Sequence, residues 1–529
     1  MNGTQSRFSV TYRVSVRDGR SIREHLEDIA LEQTAEAPRK CIPEQLIRDG
    51  ILGSVHRIKD MDESNSVYEA VISYRNDISS FSVPQLLNVL YGNISLKDNI
   101  KLTGLSLPED FQGVFPGPGT GIEGLRKILG VYRRPLACTA LKPMGLSCRQ
   151  LAEMAGAFAE GGIDLIKDDH GISDQPFSPF KERTTLCQQA VERANGRTGR
   201  KTLYLPMISG KFDEIEDHVR HAVQLGIRGI LIAPMLAGPD TVRYLSQKYG
   251  LLVMAHPAMT GTFFHSPWHG MTPAFLLGTL FRLIGADISV FPNAGGRFHF
   301  TQEQCEELTE ALLRPDHGWK RTFPCPAGGM RLDRIASMIE EYGEDTVLLI
   351  GGNVMLQGKD LTKGAKVFME KIRSCSGEEL VEPLRDTPSS CEAGSSAGEA
   401  GPAELLKFSN YTWAGRSIQE YKPEDIHDYK GIYRQELVGI FGEKTKFDLR
   451  YFEIMQGGYS SLERHAHEHV IIGARGRGLL LKGSREFPVH PHDIAYVSPL
   501  EKHQLVNRNS EPFGFFCIVD HRRDRPVQG

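Results

Sequence analysis

The sequence predicts an α/β protein built around a (β/α)8 barrel, and three observations predict it. Eight apolar runs recur between residues 136 and 353 with helical periodicity between them, which matches such a barrel in number and spacing. The stretch before them alternates apolar and polar residues like half-exposed antiparallel strands. Beyond residue 403 the chain breaks into short alternating segments joined by Gly and Pro, the pattern of an all-β sandwich or jelly roll. The expected domains are an N-terminal α+β domain of the ferredoxin-like kind (1–125), the barrel (126–374), a flexible linker (375–403) and an all-β domain (404–529).

Each element has its own signal. Residues 8–16 (FSVTYRVSV) and 66–74 (SVYEAVISY) read as strands, with helices near 21–32 and 81–90, and the turn-rich FPGPGTGIEG closes this first domain. The eight runs are LACTALKP (136–143), DLIKDD (164–169), TLYLPMIS (202–209), GIRGILIAP (226–234), LLVMAHPA (251–258), DISVFPN (287–293), TFPCPAGG (322–329) and TVLLIGGN (346–353). CRQLAEMAGAFAEG and MRLDRIASMIEEYG show the helical periodicity between runs. Residues 375–403 are rich in Ser, Ala, Glu and Gly and poor in large apolar residues, so they bury too little surface to order themselves. LRYFEIM, EHVIIGA, GLLLKG, IAYVS and FGFFCIVD are the strands of the last domain.

Composition excludes several classes of function. At 529 residues the chain exceeds one core, and a net charge of −4 without long basic runs gives no electrostatic case for nucleic acid or an acidic membrane. No stretch reaches the apolar length of a membrane helix, and MNGTQSRFSVTYRV lacks the pattern of a signal peptide. Nine cysteines without a CxxC pair fit a reducing compartment, so a cytoplasmic location is expected.

Polar residues collect at the ends of the apolar runs, where a barrel does its chemistry. Lys142 closes strand one, Lys167 and Asp169 close strand two with both side chains on one face, and His256 lies near the end of strand five. Gly328-Gly329 and Gly351-Gly352 end strands seven and eight, where backbone N–H groups can approach a phosphate. In the last domain Glu463, His465, His467 and His469 fall at two-residue intervals, one face of a strand, with His503 arriving from a later strand. Three histidines so placed point to a metal site, the competing reading being a surface His-rich tract.

LKPMGLS, GGIDLIKDDHGISDQPFSPFKER, HPAM, PAGGM, IGGN and the YGN at Tyr91 to Asn93 resemble the RuBisCO large subunit and, more closely, the RuBisCO-like proteins, over residues 5–373. The resemblance implies that Lys167 is carbamylated and holds Mg²⁺ with Asp169 and the residue at 170, here His170 in place of the usual glutamate. It implies that Lys142 is the acid/base on a keto-sugar phosphate. It implies a homodimer whose active site lies at the subunit interface, with Asn93 and Glu32 coming from the partner's N-terminal domain. Departures matter as well: KPK has become Lys142-Pro143-Met144, HRAMH has become His256-Pro257-Ala258-Met259-Thr260, and the loop with the gas-addition lysine has become PNAGGRFHF with Arg297. Loss of a guanidinium implies one phosphate rather than two, and CO₂ fixation is not expected.

The stretch around His465 resembles cupin motif one, and HDIAYVSPLEKHQLVN resembles motif two, with His503 and Asn507 in their usual places. Cupin spacing counted from Gly476 puts His469 and His465 at ligand positions, with Glu463 and His467 competing for another. The implied ion is Mn²⁺, Fe²⁺, Ni²⁺ or Zn²⁺. Together the resemblances imply methionine salvage: isomerisation of 5-methylthioribulose 1-phosphate to 1-methylthioxylulose 5-phosphate, then release of methanethiol by the cupin with glutathione or another thiol. Enolisation of a diketo-methylthiopentyl phosphate is the alternative, and a non-catalytic barrel carrying a sugar-binding cupin is the rival from another class.

Overall fold

A computed structural model describes residues 6–376 apart from 17–18, 63–65 and 359, and, from 406 to 528, all but 407, 410, 414–415, 417, 422–428, 440, 442, 444 and 521–526. The chain divides into two compact units, Met1–Pro383 and Leu384–Gly529. Residues 377–405, most of the expected linker, lie outside the described residues; Cys375 and Ser376 belong instead to the helix Leu361–Ser376. Among the described residues no helix is long and apolar enough to cross a membrane.

The first unit opens as β-α-β-β-α-β. Strands β1 (Arg7–Ser15), β2 (Ser54–Asp62), β3 (Val67–Arg75) and β4 (Ile100–Ser106) form an antiparallel sheet in the order β4-β1-β3-β2. Phe8, Val10, Tyr12 and Val14 alternate into the core and meet Leu26 and Ile29 of the helix Ile22–Glu32 and Leu86 and Leu90 of the helix Val83–Tyr91. A capping box between Ser21 and Glu24 starts the first helix, and the Ser82 side chain caps the second. β2 carries no signal in the apolar pattern because it is an edge strand with exposed, mostly polar residues (SVHRIKDMD), the composition that keeps an edge from pairing further.

All eight apolar runs of the second region are strands: β5 (Leu136–Leu141), β6 (Leu165–Asp168), β7 (Leu203–Leu205) with its continuation β8 (Met207–Ile208), β9 (Gly229–Ile232), β10 (Leu252–Ala255), β12 (Ile288–Pro292), β13 (Phe323–Ala327) and β14 (Val347–Leu349). The two-residue β11 (Gly270–Met271) lies apart from them, against β4. Parallel pairing runs β14-β5-β6-β7 and β8-β9-β10-β12-β13. TLYLPMIS is thus two strands rather than one: Pro206 has no N–H to pair, β7 bonds back to β6, and β8 bonds on to β9. A similar cause separates β13 from β14. Phe323 N–H donates to Asp287 O on the β12 side, so the N–H positions facing β14 are those of Pro324 and Pro326. Every strand sends alternate residues into one apolar core, among them Leu136, Leu165, Leu205, Met207, Leu231, Met254, Val290, Phe323 and Val347.

The described residues of the second unit are all-β and antiparallel, with a core of Ile432, Phe452, Ile454, Ile471, Leu480, Val497, Phe513 and Val519. Long strands Lys430–Val438 and Phe447–Tyr459 pair, and Phe513–Asp520 joins the second of them to His469–Arg475. Gly483, at positive φ, makes the tight hairpin between Gly478–Lys482 and Arg485–Val489.

Candidate active site and metal centre

A cavity of about 950 Å³ opens at the C-terminal ends of the parallel strands. Lys142, Lys167, Asp169, His170, His256 and all four glycines at 328–329 and 351–352 line it. Lys142, Asp169 and His256 are each the first residue beyond a strand, so His256 follows β10 instead of lying within it. Alternation divides the DD pair: Asp169 faces the cavity, while Asp168 is fully buried against Arg183 Nε (3.1 Å), Tyr204 OH (2.8 Å) and Met207 N (3.1 Å).

The electrostatics of the cavity follow from burial and close pairs. Lys167 is 3% exposed, its Nζ donates to Asp168 O at 3.0 Å, and burial pushes its pKa down toward the neutral amine. The hydrogen bond from His170 Nδ1 (3.0 Å) holds the Asp169 carboxyl well below the usual range, with Lys167 and Lys142 adding to the effect. Burial holds His256 neutral, its Nδ1 accepts from Ala258 N–H at 3.2 Å, and its ring stacks on His170 at 4.3 Å.

Three of the four glycines are needed for space or for conformation. Gly328 and Gly329 sit at φ +95° and +87°, and a Cβ on Gly328 would lie 3.0 Å from the Phe298 ring. A Cβ on Gly351 would come within 2.7 Å of Lys142 Cε and 2.8 Å of its Nζ, so this glycine leaves room for the lysine. Arg297 lines the cavity as well, and so do His299, Phe264, Phe300, Arg331 and His265; the last two come from irregular loops that no sequence motif singles out. Asn93 and Glu32 are joined to each other, Asn93 Nδ2 donating to Glu32 Oε1 at 3.1 Å and to Glu36 Oε1 at 2.8 Å, and neither lines the cavity.

In the second unit the His tract is not one continuous strand. Glu463 pairs with His503, the chain turns over 465–468, and His469 begins a strand paired with Ile494–Val497 and Phe513–Asp520. The turn brings the imidazoles together: one nitrogen from each of His465, His469 and His503 lies within 4.8 Å of the others, all three buried. His467 stacks on His465 at 3.9 Å with Nε2 3.1 Å from His469 Nε2, and Glu463 accepts from Tyr421 OH at 3.4 Å; neither joins the three-nitrogen cluster. Asn507 is structural here, its Nδ2 donating to Ile454 O and Glu511 O.

The cluster fits a metal ion. His465 Nδ1 faces His467 O at 2.9 Å and His503 Nδ1 faces Glu501 O at 2.8 Å, so each carries its proton on Nδ1 and turns a lone pair on Nε2 inward. His465 Nε2 is buried with no partner. Burial lowers all three pKa values, that of His465 to about 4, which favours the neutral ring, the form that can ligate a metal.

Residues 121–380 match the ribulose bisphosphate carboxylase large chain, catalytic domain, and residues 450–519 match the cupin domain. The chain is 39% identical over 373 residues to ribulose bisphosphate carboxylase-like protein 1 of Rhodopseudomonas palustris, covering 70% of this chain and 98% of that one. It is 39% identical over 368 residues to 5-methylthioribulose-1-phosphate isomerase of Rhodospirillum rubrum, covering 69% and 96%. A crystal structure of a Rubisco-like protein from Rhodopseudomonas palustris superposes with a TM-score of 0.63 at 36% identity, covering 70% of this chain and 99% of that one.

Proposed function

We propose that this chain, which belongs to the RuBisCO-like proteins and carries a cupin domain C-terminal to that region, is an isomerase of a methylthio-pentulose phosphate. The observation behind this reading is the convergence of Lys142, Lys167, Asp169, His170 and His256 with two glycine pairs in one cavity. In this reading the β-α-β-β-α-β domain is ferredoxin-like and the eight parallel strands close as a (β/α)8 barrel. A single phosphate lies against the N–H groups of Gly328, Gly329, Gly351 and Gly352, and HPAM offers no guanidinium for a second.

Lys142 takes a proton from the carbon beside the carbonyl and returns one to the neighbouring carbon, while the hydroxyl proton passes to the oxygen. Two such shifts carry the carbonyl of 5-methylthioribulose 1-phosphate from C2 to C4, which is 1-methylthioxylulose 5-phosphate when numbered from the other end. Mg²⁺, held by a Lys167 carbamate, Asp169 and His170, would supply Lewis-acid polarisation of the carbonyl. Burial favours the neutral Lys167 amine, the form that reacts with CO₂, and Asp169 is held ionised. Asn93 and Glu32, outside the cavity of their own chain, would complete the site from the second subunit of a homodimer.

The cupin would act next, with a transition metal on His465, His469 and His503. Two thiols such as glutathione would supply two electrons, release methanethiol from C1 and leave 1-deoxyxylulose 5-phosphate and a disulfide. Fusion to the cupin favours the isomerase over the diketo-methylthiopentyl phosphate enolase that shares the fold. Purified protein incubated with 5-methylthioribulose 1-phosphate in D₂O should place deuterium on carbon and form a new pentulose phosphate, and Lys142→Ala should do neither. Absence of both events in the wild-type protein would refute the isomerase, and turnover unchanged in Lys167→Ala would make the barrel a scaffold.

A further inference from the structure

We infer that Cys517 is a positioning residue of the cupin metal centre, holding His469 in the tautomer that presents Nε2 to the ion. Cys517 can do so only if His465, His469 and His503 hold an ion, the reading proposed above.

The three histidines are not oriented alike. His465 and His503 each have a backbone carbonyl against Nδ1, His467 O at 2.9 Å and Glu501 O at 2.8 Å. His469 Nδ1 instead faces the Cys517 sulfur at 3.6 Å. Register explains the meeting: His469 pairs with Val519 and Ile471 with Cys517 on the neighbouring strand, so Cys517 is the diagonal neighbour of His469 on the inner face. Both side chains are buried.

The direction of the contact follows from the ion. With Nε2 given to a metal, the neutral imidazole of His469 carries its proton on Nδ1 and donates it to the sulfur. Arg450 Nη2 donates to the same sulfur at 3.6 Å, so the sulfur then accepts from both. His469 Nε2, the nitrogen turned away from Cys517, lies 3.1 Å from His467 Nε2. The partnerless His465 Nε2, buried and turned into the same cluster, points independently to a ligand there.

The test is Co²⁺ binding to the full chain in competition with a chelator, with His503→Ala as the blank for this site. Cys517→Val removes the acceptor for a somewhat larger apolar side chain; Cys517→Ser keeps an acceptor in less volume. Cys517→Val should weaken Co²⁺ binding on the order of 10- to 100-fold and change the visible spectrum of the bound ion. Cys517→Ser should retain most of the wild-type affinity and spectrum. Equal binding by wild type and Cys517→Val, or equal losses in Val and Ser, would overturn the positioning role. If wild type bound no more Co²⁺ than His503→Ala, the metal reading would fall and the role of Cys517 with it.

Discussion

Gly351 sets the seat of Lys142 by lacking a side chain. A Cβ there would press on the last carbon and the nitrogen of the lysine, which can swing aside, so Gly351→Ala should fold while displacing Lys142. A misplacement of about 1 Å at a reacting group costs about 10²-fold in rate. We expect Gly351→Ala to lose that much kcat for deuterium exchange with an unchanged melting temperature; wild-type kcat would show that Gly351 does not set the position of Lys142. The lysines and Asp169 were legible in the sequence because strand alternation decides which charges face a strand-end cavity. The reason for Gly351 was not, since the side chain that needs the room comes from another strand. Arg331 and His265 carry no pattern because they come from irregular loops rather than from the ends of strands.

Among the elements, β6 depends on the half of its DD pair that does no chemistry. Asp168 and Arg183 are both fully buried, and the guanidinium joins Tyr204 OH and Met207 N around the carboxylate. Removing one partner of a buried ion pair costs about 3–5 kcal/mol because the other charge stays behind. Arg183→Met should therefore lower the denaturation midpoint of the first unit by a corresponding amount, measured by urea unfolding; a midpoint within error of wild type would mean that Tyr204 and Met207 N satisfy Asp168 alone. Periodicity found all eight apolar strands but neither the break at Pro206 nor the turn inside the His tract. Counting in twos cannot register a chain that leaves one neighbour for another, as Glu463 pairs beside His503 and His469 beside Val519. β2 was invisible for the opposite reason: an edge strand gains solubility from the polar residues that erase its apolar pattern.

At the scale of the whole molecule, domain order was legible because the apolar period changes from two, to mixed strand and helix, to two again. Each unit closes its own core, Leu136 to Leu349 among the inward residues of the first and Ile432 to Val519 in the second. The two donor sets also differ in kind. In the proposed barrel site Asp169 and a Lys167 carbamate would offer oxygens beside the His170 imidazole, a set that would suit Mg²⁺; three neutral imidazoles would suit a first-row transition ion. Separate cores and unlike donors predict that the sites fill independently. Elemental analysis of His465→Ala should show the transition metal lost while deuterium exchange on the sugar phosphate persists. Lys167→Ala should keep the transition metal and lose the exchange. A folded His465→Ala protein without exchange would mean that the two units share a single centre, and the independence argued here would be wrong.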